Sequence, residues 1–468
     1  MENYKKNAND AVILAAYRAW SAAHGLRADR LRNKRFTYGD QWIDTTVDAH
    51  GRTLTEWERY TSDAGGAPIT NNVLRQLVKT IVGRFRSQHL KDTPVESHLA
   101  QVHSENCLDE LDSRTLEEFL ISGCCVQRVD VQENLCHKQV NVSQVNVNRF
   151  FMNAPLDPLC RDCEIVGQVH DLSMAQLLQR VAHGSRKKAA WVRRVYTENM
   201  ADRTAAFTAA LGADSATGQD FWYGRSGKCR AIEVWTLESQ EVLVCHDRAT
   251  AQLQVLPLAE ARRIKPGDDV SVRWDIAMRW QCRWFAPSGE LLDTYVSPFA
   301  HGSHPFIIKL YPLTDGEVHS FIEDVIDQQK YLNRLITLVN HIMDASAKGV
   351  LLFPDTAIPN GFTWDDVRAV WRNCNGVLPY TPGMDAAKPE QISTNATNIG
   401  AYDMIQLQMR LLEEISGVSG ALQGRNVNTS GSATLYQSQA DNSNIALADI
   451  FETFNAFRSM RDAKIRGL

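Results

Sequence analysis

Apolar residues recur at helical spacing along much of this chain, and the longest such stretch lies at residues 314–349. Val318, Phe321, Val325, Leu332, Leu335, Val339 and Ile342 fill the a and d positions of a seven-residue register broken at Gln328, and Ile322, Ile336 and Met343 widen the stripe. Asp315-Gly316 supplies a turn and a cap, Glu317, Glu323 and Asp324 load the first turns with acid, and Lys348-Gly349 closes the far end. The pattern predicts one helix over 315–348, roughly 45–50 Å long at about 1.5 Å per residue. Such a rod packs along its length against its own chain or against copies of itself.

The same spacing predicts a helix at 70–90, where Val73, Leu74, Leu77, Val78, Ile81, Val82 and Phe85 recur behind a cap at Asn71 or Asn72. Others are expected near 106–122, at 174–183 behind Ser173, at 363–373 behind Thr363, and at 399–416. A second long helix is expected over 433–464, ending in the cations Arg458, Arg461, Lys464 and Arg466. Residues 8–35 read as a helix and then a basic connector, in which Arg27, Arg30, Arg32, Lys34 and Arg35 face only Asp29. That cluster is either a solvated charge run or a contact with DNA or a neighbouring subunit. Residues 186–218 read as a mobile connector with a helical piece at 200–211, and 354–400 as a loop-rich stretch.

The period changes to two at 125–150 and again within 228–310. Over 270–284, Val270, Val272, Trp274, Ile276, Met278, Trp280, Cys282 and Trp284 point one way, and Arg273, Asp275, Arg279, Gln281 and Arg283 the other. A face with three tryptophans is ordinarily core, and here the core can include a neighbouring subunit. A strand this long leaves hydrogen-bonding edges that ring assembly would cover.

Composition changes this picture little. The 468 residues fit about three domains, or one elaborated domain. A formal net charge of −5 argues against a simple basic nucleic-acid coat. It does not exclude a DNA conduit, because a channel that lets DNA slide cannot grip phosphate with dense Lys and Arg. No apolar run is long enough for a transmembrane helix, and the apolar 11–17 stretch reads as an amphipathic helix rather than a signal peptide. The ten cysteines include one C-x-x-C, Cys160-Arg161-Asp162-Cys163, with no second pair to complete a zinc site. Reduced thiols without cofactor, metal or redox role are the expected state. Phosphate-binding, dinucleotide-binding, nucleophile-elbow and zinc-protease motifs are missing, His301-Gly-Ser-His304 reads as a loop, and Asp365-Asp366 as helix-start acids. No catalytic residue is expected.

Three groups of residues carry a resemblance. One is Pro305-Phe306-Ile307-Ile308, Tyr311-Pro312, Asp315-Gly316 and then Asp327-Gln328-Gln329-Lys330 with Leu332-Asn333. The second is Tyr38-Gly39-Asp40-Gln41-Trp42 followed by Ile69-Thr70-Asn71-Asn72, and the third Glu414-Ile415-Ser416-Gly417-Val418-Ser419 followed by Leu422-Gln423-Gly424. In this order they resemble the portal proteins of tailed bacteriophages, in the short-tailed-phage-like branch, over about residues 30–440. The resemblance implies an α+β protomer with an α/β wing at 1–220, stem start and β-rich clip at 221–314, and the long stem helix at 315–349. A channel-side segment at 350–400 and wing or crown helices at 401–468 complete it. Residues 219–265 show no clear first stem helix, and the long C-terminal coiled-coil extension of some relatives is missing.

The resemblance further implies a structural, non-enzymatic ring, a dodecamer, at one capsid vertex of the virion, assembled in the host cytoplasm. Double-stranded DNA would pass through it non-specifically during packaging and ejection. Terminase, a tail adaptor and the major capsid and scaffold proteins would be its partners, with no membrane involved. Val318, Phe321, Ile322, Val325, Leu332, Leu335, Ile336 and Val339 would pack between subunits. Arg273, Arg279 and Arg283 would dock partners, and Arg368, Arg372 and Lys388 would touch DNA in the channel. The alternative is a nucleic-acid-processing enzyme of unrecognised fold.

Overall fold

The computed structural model of the chain describes all residues except 1, 49–50, 65–66, 90–95, 135–136, 198–199, 213–218, 248–252, 259–269, 300, 312, 349, 355–357, 359–360, 373–378, 382–389, 393–399, 419 and 421–444. Helix and sheet are mixed, as an α+β fold requires. Contacts group the chain into two units, each assembled from segments distant in sequence: 1–37 with 74–324 and 417–468, and 38–73 with 325–416.

The larger unit is built on an antiparallel sheet ordered Leu291–Val296, Val270–Phe285, Cys229–Asp247, Ile165–Leu172 and Phe150–Met152, with Leu253–Pro257 added to the far end of Cys229–Asp247. Cys229–Asp247 and Val270–Phe285 pair without a break from Ile232↔Phe285 to Asp247↔Val270. One end of this sheet is covered on both faces. On one, helix Glu2–Ala22 lays Ile13, Ala16, Tyr17 and Trp20 over Ile232, Val234 and Phe285. On the other, Leu177, Val181, Val192 and Val195 join Trp235, Cys282 and Trp284. Gly167 is required here: a Cβ would lie 2.2 Å from the Phe151 ring and 2.3 Å from the Glu233 carbonyl oxygen.

A second sheet, Phe306–Leu310, Cys124–Asn134 and His137–Gln144, carries helix Leu108–Ser122 and the C-terminal helix Ala448–Arg466. Phe454 and Phe457 of the latter pack in one aromatic cluster with Phe85 and Phe119. Arg461 is fully buried because Asp112 neutralises it. The helix expected over 433–464 is present from Ala448, and residues 421–444 lie outside the described ones.

Several sequence expectations shift. The helix predicted from 315 begins at Glu323 and runs to Lys348. Asp315 and Gly316 both take left-handed φ, 53° and 83°, so they form the two-residue loop of a small hairpin, Leu313–Thr314 with Glu317–Val318. The helix start is set by Ser320 and Glu323, whose side chains each accept the other's backbone N–H (3.3 and 3.1 Å), a reciprocal cap. Val318 and Phe321 are therefore not on the helix. The connector expected at 186–218 contains helices Arg186–Thr197 and Met200–Leu211, the first anchored by buried Val192 and Val195. The basic run at 27–35 lies in helix His24–Thr37, where Arg30 is buried in a two-pronged ion pair with Glu118 and Arg27 covers the Trp20 ring at 3.9 Å. The described residues of 219–265 hold a short helix, Gln219–Trp222, and strands, in keeping with the lack of a clear helical pattern there.

The smaller unit centres on helix Glu323–Lys348 from Val325 onward. Gln329, Asn333 and Thr337, four apart, form a buried polar stripe on one helix face. The Gln329 amide oxygen accepts from Val73 N (3.0 Å), and its nitrogen donates to the Asn71 carbonyl (2.6 Å) and to Asn333 Oδ1 (3.0 Å). Asn333 Oδ1 accepts from Asn71 N (3.0 Å), Asn333 Nδ2 donates to Gln41 Oε1 (2.6 Å), and Thr337 Oγ1 accepts from Ile69 N (3.1 Å). The 69–73 segment is thus held by helix side chains as a strand is held by a neighbouring backbone. Lys330 pairs with Asp44 and Glu56, and Arg334 with Glu56. Two of the three sequence motifs singled out above, 38–42 with 69–72 and 327–333, meet in this network.

Candidate functional site

The long hairpin has two unlike halves. Along Val270–Phe285 the expected alternation holds, so one face carries Val272, Trp274, Ile276, Met278, Trp280, Cys282 and Trp284. Trp280, Cys282 and Trp284 are buried in the core. Trp274, Ile276 and Met278 are 53%, 54% and 58% exposed, and Val272 is exposed beside them. The strand continues past the elements that cover its base, and its apolar stripe continues with it. Leu253 and Val255 of the added strand are exposed as well. On the register Leu253↔His246 and Val255↔Val244 they belong to the opposite face. Among the described residues no element covers this run of large apolar side chains.

The arginines of the opposite face are mostly engaged. Arg283 forks onto Glu238 and donates to Thr236 Oγ1 (2.9 Å). That pair holds the Glu238 carboxyl below the usual range against the effect of its burial. Arg273 pairs with Asp275 at 2.8 Å at an exposed position, and Arg279 stands opposite Glu238 in the ladder. The face is therefore patterned in both signs rather than simply basic.

The residues read as intersubunit packing divide. Ile322, Val325 and Leu332 are fully buried within the chain itself, Val318 and Phe321 are half-buried in the turn region before the helix, and Leu335, Ile336 and Val339 are half-buried on it. Among the described residues the helix leaves Tyr331, Leu338 and Met343 exposed, and of these only Met343 lies on the predicted apolar stripe. Of the channel cations, Arg368 is exposed on helix Trp364–Arg372 and pairs with Asp365 at 3.2 Å. Arg372 ends that helix, and its side chain and Lys388 lie outside the described residues.

The candidate chemistry resolves into structural roles. His304 packs edge-on against Trp280, half-buried, and its Nδ1 accepts from Phe306 N (3.2 Å), while His301 Nδ1 accepts from Ser303 N (3.1 Å). Burial, and Lys464 nearby, hold both imidazoles below their ordinary values. Glu233, fully buried, is kept well below the carboxylate range by Arg128 and His170, which overcome its desolvation. Among the described residues no group of three or more His, Cys, Asp or Glu could hold a metal ion, and no helix is long and apolar enough to cross a membrane.

Residues 101–462 match the family model described as phage P22-like portal protein. No curated protein matches the chain significantly.

Proposed function

Because the chain belongs to the phage P22-like portal protein family, a family of structural head-to-tail connectors, we propose that it is the subunit of a dodecameric ring at one capsid vertex. The ring would conduct double-stranded DNA into the head during packaging and out of it at ejection, docking terminase first and the tail adaptor afterwards. Capsid and scaffold proteins would hold its rim. In this reading residues 1–220 serve as the wing, the β-rich region within 221–314 as the clip, the 323–348 helix as the stem, residues 350–400 as the channel-side segment and the C-terminal helices as wing and crown.

The observation that carries the reading is the half-covered hairpin. Trp274, Ile276 and Met278 stand in register on one face beyond the core. Burying side chains of this size contributes about 1.5–3 kcal/mol each, and assembly into a ring would supply a cover that the described residues of the protomer do not. Arg279, beside this stripe and on the other face, is the cation we assign to partner docking. Arg273 and Arg283 contribute there only if their own ion pairs open. The family is structural and non-enzymatic, and no feature of the site favours the enzyme alternative.

Size-exclusion chromatography and negative-stain microscopy of the full chain test the proposal. The parent is expected to elute far above the monomer mass and to form rings. Trp274→Asp with Met278→Asp should give folded protomers that no longer close rings. A parent that stays monomeric under all assembly conditions, or a double variant that assembles normally, would refute it.

A further inference from the structure

Cys160 and Cys163 lie in the turn between strands Phe150–Met152 and Ile165–Leu172, on either side of turn residues Arg161 and Asp162. The first and last residues of such a turn have Cα atoms less than about 7 Å apart, which overlaps the roughly 4.4–6.8 Å that a disulfide spans. The turn is braced internally. Asp162 Oδ2 accepts from Leu156 N (2.6 Å) and Asp157 N (3.2 Å), and Asp157 Oδ1 accepts from Leu159 N (3.0 Å). Cys160 takes a left-handed φ of 53°, unusual for a residue with a side chain. Cys160 is partly exposed and Cys163 is buried.

We propose that this pair is a modification site: a dithiol that exchanges with low-molecular-weight disulfides to form a Cys160–Cys163 bond. The chemistry assigns the two sulfurs different parts. Cys160 is partly exposed, and the neighbouring Cys163 thiol holds its pKa below the ordinary value against the opposing effects of burial and of Asp162 and Asp157. Its thiolate attacks one sulfur of the external disulfide, forming a mixed disulfide and expelling one thiolate. Cys163 then attacks the Cys160 sulfur, its proton passing to the second thiolate as that is expelled. Two protein thiols are oxidised, and one external disulfide is reduced to two thiols. Burial pushes the thiols of Cys124, Cys125 and Cys282 up, and Cys160 together with burial pushes that of Cys163 up too, so Cys160, lowered and partly exposed, is the thiol that reacts first. Cys107 is exposed and supplies an internal control for simple accessibility. The new bond would close only a four-residue loop, so the fold does not depend on it.

The test uses the native full chain treated with hydroxyethyl disulfide, quenched with acid, alkylated and digested with trypsin. Arg161 lies between the two cysteines, so trypsin separates their peptides when reduced and leaves them cross-linked when oxidised. The expected result is complete loss of both free thiols to a cross-linked pair that dithiothreitol reverses, while Cys107 stops at a mixed disulfide. Cys163→Ser should trap the mixed disulfide on Cys160, and Cys160→Ser should leave Cys163 free. The proposal is overturned by a free Cys160 in protein whose Cys107 has reacted, by a stable mixed disulfide on Cys160 in the parent, or by a Cys160–Cys124 bond. Oxidation of Cys163 in folded Cys160→Ser protein would overturn it too.

Discussion

Replacing Asn333 with leucine isolates what the buried polar stripe of the long helix contributes. The side chain is 1% exposed and makes three hydrogen bonds, accepting from Asn71 N and Gln329 Nε2 and donating to Gln41 Oε1. Leucine shares its branching and heavy-atom count, although it is bulkier, and satisfies none of these partners. Gln329 and Gln41 belong to fully buried residues, so water cannot readily replace Asn333 there. Each buried group left unpaired costs about 1–3 kcal/mol, and partial relaxation brings the expected loss to roughly 3–5 kcal/mol. Against a total of about 5–15 kcal/mol, that is a large fraction. Native-state hydrogen exchange of the 69–73 segment is the direct assay, because the Asn71 and Val73 amides bond to this stripe. Exchange there should accelerate on the order of 100-fold or more, and urea unfolding of the smaller unit should move to lower concentration. Thr337→Val, which removes the acceptor for Ile69 N and the hydroxyl's own bond to the Asn333 carbonyl, should cost about 1–2 kcal/mol. An Asn333→Leu protein that loses less than about 1 kcal/mol and keeps its 69–73 protection would refute the reasoning.

Lys464 should make stability depend on pH. Burial lowers its pKa from 10.5 to about 7, although the ammonium donates to the His304 and Phe306 carbonyls at 2.6 Å. Between those two values the unfolded chain holds a proton that the folded chain does not, so stability rises with pH across this window. Melting temperatures of Lys464→Met should lose that rise, and an unchanged slope would exclude Lys464 as its source. His301, lowered to about 4, and His304 act in a separate window below the ordinary histidine value, where acid should destabilise. Arg279→Glu is expected to weaken terminase or adaptor binding with rings intact, whereas unaltered binding in pull-downs would remove it from docking. The Ala triple variant of Arg368, Arg372 and Lys388 should assemble but package or retain DNA less well, and full-length packaging at the parental rate with no leakage would take them out of the mechanism.

The sequence was legible where one physical signal dominated and misleading where two residues could serve two purposes. Alternation over 270–285 identifies the faces of that strand because a pleated backbone allows nothing else. Alternation is silent on what covers a face, so Trp274 and Trp284 look equivalent in sequence and differ in the fold. Asp315-Gly316 satisfies the chemistry of a helix cap and of a hairpin turn alike. The signal that separates them, Ser320 followed three residues later by Glu323, sits where an apolar stripe already appeared continuous. Buried polar residues were the least visible. Gln329, Asn333 and Thr337 occupy positions that a hydrophobic pattern assigns to solvent, and their partners lie more than 250 residues away along the chain. Arg30 and Arg461 look like surface charge until Glu118 and Asp112 are brought to them. The Asp-Gln-Gln-Lys-x-Leu-Asn run therefore has a physical meaning that neither propensity nor periodicity expresses. Its amides replace a missing β-neighbour for the 69–73 backbone, and any change there must preserve donors and acceptors as well as size.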